Sequence, residues 1–146
     1  FQAPEHTAEL IHKNGAISPP FAVLQQNQRF TLVSHDSQLH TLEASVGDEV
    51  WFNYPVLTHE EQPTVRRIER SGLARLRCTV HEDEKITRLL ALHHPYWTRG
   101  ERGGRFVMVN LPSGDYEIGA WAPGREAISA QVSGAAGDEV HLTLQW

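Results

Sequence analysis

The residues with the most chemical reach are Cys78 and His81, joined in Cys78-Thr79-Val80-His81 at the close of Gly72-Leu73-Ala74-Arg75-Leu76-Arg77. Cys78 is the only cysteine in the chain. Apolar and polar residues alternate through Leu76-Arg77-Cys78-Thr79-Val80, the period of a strand, which puts Ala74, Leu76, Cys78 and Val80 on its inner face. A thiol at the inner end of a strand, an imidazole in the turn after it and a second imidazole upstream at His59 make a soft nitrogen–sulfur donor set suited to copper. The competing reading makes Cys78 a small buried hydrophobe and His81 a surface histidine.

The elements that must position these groups read as strands throughout. Short alternating runs separated by Gly, Pro, Asn and Asp are the layout of an all-β sandwich. The pattern predicts strands over Ala8–His12, Phe21–Gln25, Arg29–Ser34, Leu39–Ala44, Glu49–Asn53, Thr64–Arg70, Ala74–Val80 and Thr87–Leu92. It continues with Arg105–Asn110, Asp115–Trp121, Ile128–Val132 and Glu139–Gln145. Turns are expected at Asn14-Gly15, Val46-Gly47-Asp48, Ser71-Gly72, Gly103-Gly104, Pro112-Ser113-Gly114 and Ala136-Gly137-Asp138. The single place for a short helix is Thr58–Gln62.

Composition narrows the function. The 146 residues suit one ordinary domain or two small layers, and 40% hydrophobic with 21% charged residues is a globular balance. A formal charge of −5 gives no basic excess for nucleic acid. No apolar run approaches the roughly 20 residues of a membrane-spanning helix. One cysteine excludes an intramolecular disulfide. The chain opens Phe1-Gln2-Ala3-Pro4 without methionine, which fits a periplasmic or secreted protein whose signal peptide has been removed. A lone thiol in such a setting calls for burial or a bound metal.

Three stretches, in order, resemble exported cupredoxin-like proteins of the methylamine-utilisation or plastocyanin-like type. They are Gln26-Asn27-Gln28-Arg29-Phe30 with Val46-Gly47-Asp48-Glu49-Val50-Trp51-Phe52-Asn53; Gly72 to His81; and Pro95-Tyr96-Trp97 followed by Gly104-Arg105-Phe106 and Leu111-Pro112-Ser113-Gly114-Asp115-Tyr116, ending at Trp121. The last stretch resembles a transthyretin-like, carboxypeptidase-regulatory-like element. The resemblance covers about residues 15 to 124 and implies a cupredoxin-like Greek-key β-sandwich over 1–92 with an appended transthyretin-like β element over 93–146. It further implies a copper site with Cys78 as thiolate and His59 and His81 as imidazoles, serving electron transfer or copper handling with a redox partner protein.

The departures from the family pattern are as specific. Its axial methionine falls where this chain has Glu84, so a carboxylate, Glu84 or else Glu60, is the expected axial ligand. The span from His59 to Cys78 is shorter than the family's by about one hairpin. A carboxylate is harder than a thioether and favours Cu(II), which implies a lower potential. Zinc is the competing metal for such a set. A metal-free β-sandwich that binds a protein or glycan through its loops is the alternative function.

The remaining candidates carry less. His35, Asp36 and His40 flank an expected turn, read as a solvated hairpin with a surface metal site as the alternative, and His6 and His12 are expected to be exposed. His93 and His94 are adjacent, so on a strand they would point to opposite faces. Arg75 and Arg77 are expected on the solvated face opposite Cys78. No Gly-x-Ser-x-Gly elbow, phosphate loop or His-Glu-x-x-His marks an enzyme.

Overall fold

The computed structural model describes residues 1–56, 63–81, 85–122 and 124–146. Among the described residues it is all-β, with no helix. The chain divides into two compact units, Phe1–Pro95 and Tyr96–Trp146.

The described residues of the first unit form nine strands: β1 (Ala8–Lys13), β2 (Ala16–Ser18), β3 (Phe21–Gln25), β4 (Arg29–Ser34), β5 (His40–Val46), β6 (Glu49–Val56), β7 (Arg66–Arg67), β8 (Gly72–Cys78) and β9 (Thr87–Leu92). They form a four-stranded sheet, β2-β1-β4-β7, and a five-stranded sheet, β3-β9-β8-β5-β6. The chain passes repeatedly between the sheets, so β1 pairs β4 and β3 pairs β9 in parallel while the other pairings are antiparallel. This is a Greek-key sandwich, and one apolar core is shared by both sheets. Leu10, Ile17, Phe30 and Leu32 meet Leu24, Leu42, Leu76 and Leu89, all buried.

Alternation decides what enters that core. In β8, Ala74, Leu76 and Cys78 are buried while Arg75 and Arg77 face out, as the period requires. Arg77 donates from Nε and Nη2 to Glu43 Oε1, both at 3.0 Å, tying β8 to β5 on the outer face. Val80 departs from the expectation: the strand stops at Cys78, and Val80 lies beyond the ladder with half its surface exposed. At the β1–β2 hairpin, Asn14 and Gly15 both take positive φ, 52° and 69°, the geometry of a two-residue turn that matches strand twist.

The expected strand over Thr64–Arg70 shrinks to Arg66–Arg67. Beyond it the Ile68 carbonyl accepts from the Asn27 amide at 2.6 Å and the Ile68 amide donates to Gln28 at 3.3 Å, so a turn holds this segment where a ladder was expected. Ile68 is nonetheless buried.

The second unit contains an antiparallel ribbon, β10 (Gly114–Ala120) and β11 (Ile128–Gly134), with Tyr116 opposite Val132 and Ile118 opposite Ala130. The Tyr116 hydroxyl donates to the Pro112 carbonyl at 2.5 Å, which accounts for Pro112 and Tyr116 at this spacing. Arg105–Asn110 and Glu139–Gln145 are extended in pattern but are not strands. Phe106 and Met108 are half-buried and Val107 and Val109 exposed, so the alternation sets a buried side without supplying a ladder partner.

Two expectations follow for the first unit. Phe30 is fully buried and its ring lies 5.5 Å from that of Phe52, so Phe30→Ala should cost about 3–5 kcal/mol in a urea unfolding curve. Burial, reinforced by the charge of neighbouring His93, holds the His94 pKa below its ordinary 6.5. The unfolded chain therefore takes up this proton more readily, and stability should fall as pH drops through that range. The melting temperature of His94→Gln should decline less than that of the parent between about pH 7.5 and about pH 5.5.

Candidate metal centre

Strand register brings Cys78 to its first partner. β5 and β8 are antiparallel with Leu42 opposite Cys78, and the contact runs on past the strand end because the Thr79 amide donates to the Thr41 carbonyl at 2.8 Å. His40, two residues before Leu42, lies on the same inward face, making it a diagonal cross-strand neighbour of Cys78 within reach of a long side chain. His40 Nδ1 stands 3.6 Å from Cys78 Sγ. The chain then turns after β8 and brings His81 back, with its Nδ1 also 3.6 Å from the sulfur. His40 and Cys78 are buried, at 2% and 5% exposure, whereas His81 is half-buried and reaches toward the surface.

These distances suit a metal. Bonds of about 2.0 Å to imidazole nitrogen and about 2.3 Å to thiolate set the two donor atoms roughly 3.5–3.7 Å apart at angles of about 110–120°. Both nitrogen–sulfur separations fall in that window, and the three donor atoms all lie within 4.8 Å of one another. Two imidazoles and a thiolate are the trigonal donor set of a copper protein.

Behind His40 lies a second group of polar side chains. Asp36, in the turn between β4 and β5, places Oδ2 3.5 Å from His40 Nε2 and 3.0 Å from Nδ1 of His12 on β1. The Asn14 amide of the β1–β2 hairpin donates to Asp36 Oδ1 at 2.9 Å. That backbone donor is the main cause holding the Asp36 carboxyl below its ordinary pKa; desolvation opposes it, and His12 and His40 add to the lowering. The rings of His12 and His40 lie face to face, 3.6 Å between centroids and tilted by 32°.

His12 and His40 correct two expectations. His12 is fully buried, because β1 alternates inward at Leu10 and His12. The sequence carries that signal, since a strand over Ala8–His12 puts Leu10 and His12 on one face. His40 belongs to the buried start of β5 and not to a solvated hairpin, while His35 beside it is exposed. Nothing local announces His40; its role depends on its register against β8. His93 and His94 sit just past the end of β9, where strand alternation no longer parts adjacent side chains, and their rings lie edge to face at 4.9 Å. Of the ligands expected from the sequence, Cys78 and His81 come together, and His59, Glu60 and Glu84 lie outside the described residues.

No protein-family model matches this sequence, and no curated protein matches it. Solved structures similar to it are cupredoxins and a copper enzyme. The purple cupredoxin from Nitrosopumilus maritimus is 21% identical over 57% of this chain and 98% of its own, at a TM-score of 0.48. A reduced amicyanin mutant is 12% identical over 62% of this chain and 86% of its own, at 0.49. The copper-containing nitrite reductase from Thermus scotoductus SA-01 is 13% identical over 59% of this chain and 22% of its own, at 0.49. Likeness at this level is no guide to ligands or activity, which have to be read from the side chains.

The burial of Cys78 has a direct test. Its reaction with a thiol reagent should be at least about tenfold slower in the native protein than in denaturant, and His81→Ala should speed the native reaction by uncovering the sulfur.

Proposed function

We propose that this protein is a cupredoxin-like copper-binding protein that transfers electrons or handles copper, with Cys78, His40 and His81 as its nitrogen–sulfur ligands. The observation that carries this reading is the pair of Nδ1 atoms, each 3.6 Å from the one thiol of the chain. Copper bound there would supply one-electron chemistry. The chain's own part is to fix the donors. β5 and β8 hold His40 and Cys78 inside the sandwich, which limits rearrangement between oxidation states and keeps water from the sulfur. Half-buried His81 gives the site its edge toward a redox partner protein.

The fourth position belongs to a carboxylate in this reading, Glu84 in preference to Glu60, as the resemblance implies. His40 takes the second imidazole position, for which His59 is the expectation from the resemblance. Val56, the last described residue before the His59 segment, pairs with His40 across β5 and β6, so both histidines need testing. Copper is preferred to zinc because two imidazoles and a single thiolate are the trigonal donor set of copper sites. We place the protein in the periplasm or outside the cell, and read Tyr96–Trp146 as a transthyretin-like appendage.

Cu(II) titration tests the reading. One equivalent should produce an intense thiolate-to-copper band that Cys78→Ser and His40→Ala abolish and His59→Ala leaves in place. Loss of the band in His59→Ala with retention in His40→Ala would return the ligand role to His59. Glu84→Gln should raise the reduction potential without removing the band. A colourless protein whose melting temperature copper does not raise would instead be a metal-free binding module, since a tightly bound metal must stabilise the folded state.

A further inference from the structure

The group behind His40 is the part of the molecule that copper binding by Cys78, His40 and His81 leaves unused. His12, Asp36 and His40 offer three donor atoms within 4.8 Å of one another, which raises the question of a second cation. The ring geometry answers against it. Two imidazoles binding one ion in their ring planes, with bonds of about 2.0 Å, hold their centroids roughly 5 Å apart. The centroids of His12 and His40 are 3.6 Å apart, a stacking distance.

We infer that Asp36 and His12 are positioning residues for the metal ligand His40: Asp36 keeps the ring proton on Nε2 so that Nδ1 faces Cys78 with its lone pair, and His12 fixes the ring plane by stacking. The inference rests on the copper reading and goes beyond its ligand set.

Three observations support it. The carboxylate oxygen nearest His40 is on the Nε2 side, at 3.5 Å, while Nδ1 is turned to the sulfur at 3.6 Å. A negative charge beside Nε2 favours the tautomer protonated there, and only the other nitrogen is then available to a metal. The Asn14 amide anchors one oxygen of that carboxylate at 2.9 Å, and the other oxygen lies 3.0 Å from His12 Nδ1 on the side of the stacked pair. Finally, His12 has no exposed surface and His40 almost none, so the stacked pair has no room to rotate into solvent. A charged acceptor on the far nitrogen also makes the ligand more basic, which strengthens binding of Cu(II) more than of Cu(I).

The test uses the whole chain with copper as the probe. Asp36→Asn should weaken Cu(II) binding by about 10–100-fold, the usual effect of losing an outer partner of a metal-bound histidine. Each tenfold loss borne by Cu(II) alone should raise the reduction potential by about 59 mV. His12→Phe keeps a ring in the stack and should leave the copper band near its parental position, whereas His12→Ala should shift it. Unchanged Cu(II) affinity and potential in Asp36→Asn, with only a lowered melting temperature, would reduce Asp36 to a structural role and overturn the inference. Uptake of a second equivalent of metal by the parent, lost in Asp36→Asn, would overturn it by making Asp36 a ligand.

Nitrogen-15 NMR of the metal-free parent supplies a readout that needs no variant to fold. His40 should show the Nε2–H tautomer, and the Nδ1–H tautomer would sink the proposal. A parent that takes up no copper removes the copper reading and this inference together. A parent that binds copper while Asp36→Asn behaves identically removes the inference alone.

Discussion

The pairing of Leu42 with Cys78 across β5 and β8 is the contact on which the site depends. Side chains on neighbouring strands share a face only when the register puts them in phase, and a slip of one residue would turn every second side chain outward. In this register Ala74, Leu76 and Cys78 point into the same core as Leu42 and Ala44, and His40 follows at the rim of that face. The Glu43–Arg77 pair locks the same two strands on the outer side. The core and the donor cluster therefore share one cause, which is why a buried thiol and a buried imidazole can be neighbours at all.

Polar groups placed this deep need partners, and the fold provides them from three directions. The β1–β2 hairpin contributes His12 and the Asn14 amide, the turn after β4 contributes Asp36, and the end of β8 contributes the thiol and the return to His81. The parallel pairing of β1 with β4 makes this convergence possible: it sets His12 beside Ser34, so the chain leaving β4 runs past the His12 ring before entering β5. The His35 amide donates to the His12 carbonyl at 2.9 Å along that path. Buried imidazoles that would weaken an apolar core are thus gathered into one contiguous polar cluster at one end of the sandwich.

Much of the strand content was legible because burial on one face writes a period of two into the sequence. Phe21–Gln25, Arg29–Ser34 and Thr87–Leu92 have the bounds their alternation predicts. The same rule failed at Arg105–Asn110, where the half-buried and exposed positions alternate but no strand is present. Alternation reports which side of a segment is covered, whereas a strand also requires a neighbour with free backbone groups. It failed differently at Val80, where the period continued in the sequence after the ladder had ended.

Local pattern alone is enough for the class of architecture and for two members of the candidate cluster, Cys78 and His81. An inward thiol at the end of a strand and a histidine three residues on are local facts, and local periodicity is enough to find them. The second imidazole and its supports were decided only by tertiary structure. His12, Asp36, His40 and Cys78 come from separate parts of the chain, and what unites them is which strands pair, in which direction and in what register. Those choices are made by the shared core of both sheets, a property of the whole unit that no short stretch of sequence contains.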